Sequence, residues 1–403
     1  MPQGNPYSFF KTSVIMVFSA MMVLPWGMAW AGALDRTGAV GARDIGFGGD
    51  PDGLRLQDNL ASKMMLEEMW INGSIEVIRP KFTYKDTRGH EVNSRSIAHP
   101  MPYVNYAQPV NEWMAAGVSL FTPYGLGTSF RNNPQQLGYD TATLISLTCT
   151  MPSVAFRLTD KLSLGVGVGL GFAQLKYEAP FDINRVPTPV YTENNGMGFG
   201  LNGGAGLVYE VTDGLTMGVN WMSPTKAHVD GKTNLSIGHF SLRDDFDAYV
   251  TFPSKLDYAV AWKVGEKTLI AADINFFNYS KTPNDLTLKL DRLGMKKGCD
   301  NGWKDNIGTH IGVSHRIDDR WTVRAGGGFM TQAIPDKSVN TLTLDVEGWN
   351  VAGGVSCRFS DKFTLDAGVT HGFGHNVVNK GIRGSEEYGA AITTFVLGGN
   401  WEF

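Results

Sequence analysis

The chain has 403 residues, of which 42% are hydrophobic, only 18% are charged and 49 are glycine. Typical globular proteins carry about 25% charged residues and about 7% glycine, so this composition argues against a series of ordinary soluble domains. The 35 basic and 39 acidic residues nearly balance, which leaves no basic surface for nucleic acid.

The first 31 residues are predicted to be a secretory signal peptide. Lys11 precedes an apolar run over 14–30, and Ala29-Trp30-Ala31 is a small-x-small pattern of the kind that signal peptidase accepts. We expect cleavage after Ala31 and an exported mature chain that begins at Gly32. An uncleaved membrane anchor is the alternative, although it needs roughly 20 apolar residues and usually lacks a small-residue exit.

Residues 32–66 are predicted to form an amino-terminal plug, or hatch. They are rich in glycine and do not alternate, and Asp58 or Asn59 could cap a short helix over 60–66. The strands that follow predict a barrel too wide for its own side chains to fill, so the lumen is the natural place for this segment. A flexible periplasmic tail is the alternative.

Residues 67–403 are dominated by a period of two, which is typical of strands. Over 162–172, apolar residues occupy every even position, while Ser163 and four glycines occupy the odd positions. Segments 321–329 and 363–370 repeat the pattern. A soluble sandwich would carry Lys and Glu on its second face, whereas Gly, Thr and Asn suit a confined lumen. The apolar faces are therefore predicted to face lipid.

Five short polar turns are centred on Asp160, Asp213, Glu266, Asp319 and Asp361. Longer polar stretches lie between them, as the short periplasmic turns and long outer loops of an outer-membrane barrel require. Fourteen strands are predicted, near 68–85, 99–107, 112–124, 144–158, 162–177, 197–211, 215–230, 248–263, 268–280, 303–317, 321–333, 347–359, 363–373 and 388–403.

These elements predict an all-β fold, a 14-stranded antiparallel transmembrane β-barrel with the hatch in its lumen. An even strand number lets the wall close, and closure leaves no unpaired edge in hydrocarbon. The last strand agrees, because Phe395, Leu397, Trp401 and Phe403 share one face and a terminal Phe is usual in outer-membrane barrels. The Gram-negative outer membrane is therefore the expected location.

No catalytic residue, metal site or cofactor is predicted. Cys149, Cys299 and Cys357 are odd in number and lack CxxC spacing. His371 and His375 would lie roughly 13 Å apart along one strand, too far to chelate one ion. Neither GxSxG nor HExxH occurs. A barrel enzyme with a site assembled across strands, and a general diffusion porin, are the competing interpretations.

Six segments of the chain, taken in order, carry a resemblance to a known family. They are 114–130 (MAAGVSLFTPYGLGTSF), 151–165, 198–202, 250–253, 303–305 and 319–326. Together they resemble the FadL/TodX family of outer-membrane transporters for hydrophobic compounds. The resemblance implies a monomeric barrel of fourteen strands, plugged by a hatch, that takes up long-chain fatty acids or aromatic hydrocarbons. It also implies that substrate leaves sideways into the membrane, through a gap beside a kinked third strand.

Pro123, Gly125 and Gly127 are the candidates for that gap. Pro123 has no amide hydrogen for a ladder bond and two glycines follow it, so strand pairing is expected to weaken there. A simple loop start at Pro123 is the alternative.

The hatch and the outer loops depart from the family pattern. Family members carry Asn-Pro-Ala in the hatch, whereas this chain reads Asn59-Leu60-Ala61. The local hatch geometry is therefore expected to differ. Segments 125–143 and 231–247 are expected to be short outer loops.

Three ligand-binding candidates come from the resemblance. Lys176 and Lys304 stand near strand ends where the family places basic residues, and a cation there would offset the desolvation of a fatty-acid carboxylate. Pairing with lipopolysaccharide is the alternative role. Leu34 would be the third mature residue, where the family inserts an apolar side chain into its pocket. The expected partners are thus a hydrophobic small molecule, outer-membrane lipid and lipopolysaccharide.

Overall fold

The computed structural model describes residues 59–181, 189–281, 285–290, 295–300, 302–381 and 384–403. The predicted signal peptide, residues 32–58 of the predicted hatch, and Leu34 with them, lie outside these ranges. Helical structure in the described part comprises short 3-10 turns at Leu60–Met65, Pro134–Gln136, Tyr279–Lys281 and Asp336–Ser338. Within those ranges, no helix has the length and apolar character needed to span a membrane.

Twenty strands form one antiparallel sheet. They are β1 (Trp70–Lys85), β2 (Glu91–Asn93), β3 (His99–Asn111), β4 (Met114–Asn133), β5 (Tyr139–Thr159), β6 (Leu162–Phe181), β7 (Val190–Thr212), β8 (Leu215–Met222), β9 (Thr225–Ile237), β10 (Phe240–Phe252), β11 (Lys255–Val264), β12 (Thr268–Phe277), β13 (Asp285–Leu290), β14 (Met295–Asp300), β15 (Asn306–Arg316), β16 (Trp321–Met330), β17 (Gly348–Ser360), β18 (Phe363–Gly374), β19 (Val377–Gly381) and β20 (Gly384–Glu402).

These strands fill fourteen positions around a closed wall, as predicted. Six positions hold two consecutive strands with a short interruption between them, namely β2/β3, β8/β9, β10/β11, β12/β13, β14/β15 and β18/β19. The first and last strands close the ring, from Trp70 opposite Glu402 to Lys85 opposite Glu387. The five predicted short turns join strands at one end of the barrel, which we take as the periplasmic end.

The two faces of the wall differ as the alternation predicts. On β6, Ser163, Gly165 and Gly169 face inwards and are buried. Val168 and Leu170 face outwards and are 68% and 50% exposed. Large apolar side chains on the outside of a barrel suit a hydrocarbon environment.

The wall rises higher at its outer end than predicted. The outer loops in segments 125–143 and 231–247 are short, as expected, but the predicted strand ends are wrong, because β4 runs to Asn133 and β9 and β10 meet at a tight turn after Ile237. The outer faces of these extensions carry charged pairs such as Lys232 with Asp245. Charged residues of this kind are typical of loops, so the sequence did not indicate strands there. Strand pairing continues there because polar outer faces are compatible with a sheet that projects beyond the lipid.

A buried polar network runs across five neighbouring strands, β16, β17, β18, β20 and β1, near the periplasmic end. Arg324 Nη1 donates to Ser356 Oγ at 2.5 Å and lies 3.7 Å from Asp366 Oδ1. Ser356 and Asn400 both donate to the Asp366 carboxylate. Asn72 Nδ2 donates to Asn400 Oδ1 at 2.5 Å, which extends the network across the closing pair of strands.

Removing Asp366 should therefore destabilise the barrel strongly. The Arg324 side chain is 0% exposed, so Asp366→Ala removes a carboxylate that lies 3.7 Å from a buried charge and accepts hydrogen bonds from Ser356 and Asn400. We expect the free energy of unfolding to fall by about 3–5 kcal/mol, measured by guanidinium titration in detergent. Asp361→Ala, in an exposed turn, should change stability by less than about 0.5 kcal/mol. Equal effects of the two substitutions would contradict a stabilising network.

Candidate functional site

The lumen is apolar in its outer half. Buried side chains from strands around the whole wall meet there in one cluster, which we call the lumen cluster. Its largest members are Phe82, Tyr84, Tyr124, Phe130, Phe246, Phe252, Phe277, Tyr279 and Tyr388. An enclosed apolar surface of this kind is the usual environment for a hydrophobic ligand.

β4 leaves the plane of the wall half-way along its length. Its ladder with β3 ends at the rung between Val104 and Leu120, although β3 continues to pair with β1. Its ladder with β5 shifts register between Phe121 and Tyr124, where Pro123 cannot donate. In the described part of the chain, the β3–β4 side is rejoined by a backbone hydrogen bond from Arg95 to Ser129, at 2.8 Å. We call the stretch between these two points the seam.

The bent part of β4 reaches into the lumen while it stays paired with β5. Tyr124 is fully buried and its hydroxyl donates to the carbonyl oxygen of Pro253 at 2.9 Å. Its ring stacks on Phe252, with 5.7 Å between ring centroids. Pro253 lies in the interruption between β10 and β11, so it offers a carbonyl that the ladder does not use. Pro123, Gly125 and Gly127 therefore lie where β4 turns inwards.

A second element, the inner loop over residues 331–347, folds into the outer mouth. Thr128 donates to the carbonyl oxygen of Thr341 at 2.5 Å, and Thr143 donates to that of Leu342 at 2.6 Å. Apolar residues of the same loop, including Ile334 and Leu344, join the lumen cluster. The loop thus covers the inner face of the bent strand.

Sequence reasoning did not find the inner loop. Its composition could have indicated a buried loop, because Ile334, Val339, Leu342 and Leu344 are apolar, whereas a solvated outer loop is mostly polar. The hydrogen bonds from Thr128 to Thr341 and from Thr143 to Leu342 span 213 and 199 positions of sequence, so periodicity could not indicate them.

The last residues of the predicted hatch are seated against the inside of the wall. Residues 59–65, called the hatch end here, begin with Asn59, whose side chain caps the 3-10 turn by accepting from Ala61 N at 3.0 Å. Asn59 Nδ2 donates to the carbonyl oxygens of Leu207 and Val219 at 2.9 and 3.0 Å. Arg157 Nη2 donates to Met64 O at 3.0 Å. The hatch end therefore lies on β5, β7 and β8.

Glycines on the inner face make this close approach possible. A Cβ at Gly165 would overlap with the backbone of Leu60 and Ala61, and one at Gly206 would overlap with Asn59 Oδ1. Leu60, which stands where the family has proline, adds a hydrogen-bond donor to the hatch end. The Leu60 amide, which proline would lack, lies 3.5 Å from Asn220 Oδ1 as a donor.

The other predicted ligand contacts are not gathered at the lumen cluster. Lys176 lies on the outer face of β6, where its ammonium group is 2.8 Å from Glu178 Oε1. Lys304 has an exposed side chain just before β15, and its backbone amide donates to Ala333 O in the inner loop at 2.8 Å. Leu34 lies outside the described residues.

A histidine and two carboxylates come within reach of one metal ion on the outer face. The candidate ligand atoms of His228, Asp230 and Asp247 lie within 4.8 Å of one another. His228 and Asp247 already hydrogen-bond to each other, and the cluster lies on the outside of β9 and β10. Cys149 and Cys357 are buried free thiols, and the side chain of Cys299 is outside the described set.

Comparison with known families identifies the chain. The model of the family described as "Outer membrane protein transport protein (OMPP1/FadL/TodX)" matches residues 50–395. The chain belongs to this family. The predicted resemblance to the FadL/TodX family is therefore confirmed.

The chain is also similar to individual members of the OMPP1/FadL/TodX family. A long-chain fatty acid transport protein of Escherichia coli is 22% identical over 361 residues, which cover 79% of each chain. A Pseudomonas aeruginosa FadL homologue has the same fold, with a TM-score of 0.78, 16% identity, and coverage of 94% of this chain and 100% of the other. The Pseudomonas putida toluene transporter TodX gives a TM-score of 0.76 at 18% identity, covering 91% and 99%.

Membership of the OMPP1/FadL/TodX family settles two of the predictions. The chain is an outer-membrane transport protein, which confirms the predicted location. Its curated relatives are transport proteins and not enzymes, which decides against the barrel-enzyme interpretation.

Proposed function

We propose that this protein takes up small hydrophobic compounds across the outer membrane. The lumen cluster carries the proposal, because it offers an enclosed apolar surface inside a barrel of a transport family. The relatives include one named for long-chain fatty acids and one named for toluene, and both chemistries need such a surface.

The seam is the proposed exit, and Pro123, Gly125 and Gly127 mark it. Unpaired backbone in hydrocarbon costs several kcal/mol per group, so a gap persists only where protein shelters it. The inner loop provides this shelter on the lumen side, through its contacts with Thr128 and Thr143. A substrate that leaves sideways stays in apolar surroundings and keeps about 0.8 kcal/mol per methylene that exposure to water would cost.

The proposed domain organisation is a signal peptide over 1–31, a hatch over 32–66 and the barrel over 67–403. The seated hatch end supports a plug in preference to a free tail, because residues 59–65 already lie inside the wall. A monomer in contact with lipopolysaccharide is also proposed. The polar outward side chains at the outer ends of β6, β9 and β10, with pairs such as Lys176–Glu178, support that contact.

Low ion conductance is expected if the lumen is filled. Protein reconstituted in planar bilayers should show little steady current, and cells that express it should take up labelled hydrocarbon or fatty acid faster than cells that lack it. Large, stable openings would favour the general-porin interpretation. Equal uptake rates with and without the protein would contradict hydrophobic transport.

A further inference from the structure

On the periplasmic side of the lumen cluster, the inner face of β12 and β15 turns polar. Asp273 is two inward positions below Phe277 of the cluster and faces His310 across the ladder. His310 Nδ1 lies 2.8 Å from Asp273 Oδ1, and the two side chains are 12% and 26% exposed. This pair, called the lumen dyad, borders the apolar interior.

One nitrogen of the dyad is unused. Nε2 of His310 is buried and has no hydrogen-bond partner among the described residues. The ring has space because Gly328 faces it on β16, where a Cβ would overlap with the ring carbon Cδ2. Buried polar atoms in native proteins are nearly always satisfied, so an unpartnered one at the border of the apolar lumen points to a ligand or a water.

Asp273 decides what Nε2 can bind. An ionised carboxylate only accepts hydrogen bonds, so Nδ1 must carry the proton of the neutral ring. Nε2 then holds a lone pair and accepts a hydrogen bond from the ligand. A ligand with an O–H group satisfies this atom, whereas a plain hydrocarbon does not.

Charges beside the dyad disfavour an anionic ligand. Asp257 and Asp273 face the lumen from neighbouring strands, and Lys255 on the same face is 3.1 Å from Asp257 Oδ1. Asn275 Nδ2 also donates to Asp257, at 2.8 Å. Among the described residues of these two strands beside the dyad, one lysine stands against two carboxylates, which is an excess of negative charge when the imidazole is neutral. A free carboxylate would meet like charge at this point.

We propose that the lumen dyad selects neutral hydrophobic compounds that carry a hydroxyl group, over both the plain hydrocarbon and the free acid. This selection rests on the proposed uptake of hydrophobic compounds and adds the polar group that the lumen recognises. His310 Nε2 accepts a hydrogen bond from the hydroxyl group, Asp273 holds the ring in the tautomer with the proton on Nδ1, and the lumen cluster contacts the apolar part of the ligand.

Equilibrium dialysis of the whole protein in detergent at pH 8 tests this, with labelled decane, decan-1-ol and decanoate as probes and protein-free micelles as reference. A fatty carboxylic acid is ionised at that pH, so decanoate is tested as the free anion. Decan-1-ol should bind about fivefold more tightly than decane, and decanoate should bind most weakly.

Two variants should remove the preference for the alcohol by different routes. His310→Phe deletes the acceptor but keeps a ring. Asp273→Asn can donate to Nδ1 and so move the ring proton to Nε2. Both should lower the affinity for decan-1-ol about fivefold and leave that for decane unchanged. His371→Phe is the matched control, because His371 is bound to Thr393 on the outer face of β18.

The outcomes separate the two proposals. If none of the probes binds, hydrophobic uptake and the dyad proposal both fail. If all bind but the wild type does not prefer decan-1-ol, or if His310→Phe keeps the preference, only the dyad proposal fails. Asp273→Asn covers the case in which His310→Phe does not fold, since asparagine has nearly the size and shape of aspartate and His310 remains. Retained preference in folded Asp273→Asn would also overturn the dyad.

Discussion

Replacing Gly165 by valine is expected to unseat the hatch end and open the barrel to ions. Even a Cβ at this position would overlap with the backbone of Leu60 and Ala61, and backbone cannot turn aside as a flexible side chain can. Asn59 would then lose its hydrogen bonds to the carbonyl oxygens of Leu207 and Val219. Steady conductance in planar bilayers should rise about tenfold or more, because a lumen of fourteen strands is wide when unplugged.

Gly203→Val is the matched control for this substitution. Gly203 lies on the outward face of β7, and its Cβ would meet only Gly167 O at an ordinary 3.5 Å. That variant should conduct like the wild type. Both proteins should keep heat-modifiable gel migration, which reports the folded barrel. A folded Gly165→Val protein with wild-type conductance would show that the hatch end does not help to close the lumen.

Replacing Pro123 and Gly125 together by valine is expected to abolish most uptake of hydrophobic substrate. Valine supplies the missing amide at 123 and a strong strand preference at both positions, so pairing across the seam becomes favourable. If the seam is the exit, uptake by whole cells should fall about tenfold, since the remaining route leads through water. Surface expression and folding should stay normal.

Pro152→Val is the control for the loss of a proline as such. Pro152 has an exposed side chain on β5, opposite Val118 in a ladder that keeps its register. Its replacement should leave uptake unchanged. Normal uptake by a folded Pro123→Val, Gly125→Val protein would refute lateral exit at this position.

The wall could be predicted because its signal is local. Alternation over 162–172 and the polar turns each need only neighbouring residues, and closure follows from the hydrocarbon environment. The same is true of the break at Pro123, which depends on one missing amide hydrogen, and of the cap at Asn59. The prediction failed at the outer end, where charged pairs on β9 and β10 resemble a loop.

The interior could not be predicted, because closure alone brings its parts together. Tyr124 meets Pro253 across 129 positions of sequence, and Thr128 meets Thr341 across 213. His310 and Asp273 are 37 positions apart, on β15 and β12, which pair with each other although the β13–β14 hairpin lies between them in the sequence. No pattern within one strand indicates such a pair, since each residue alone is an ordinary polar side chain on an inner face.

The position of the hatch end constrains the order in which the chain assembles. Its hydrogen-bond partners lie between Arg157 and Asn220, whereas the wall closes only when β20 reaches β1 over sixteen rungs. Contacts that are near in sequence form before distant ones, because shorter loops cost less entropy to close. The hatch end can therefore dock on a half-built, still open sheet, and the last strand then seals the ring around it. Assembly in this order requires no threading of the amino terminus into a finished barrel.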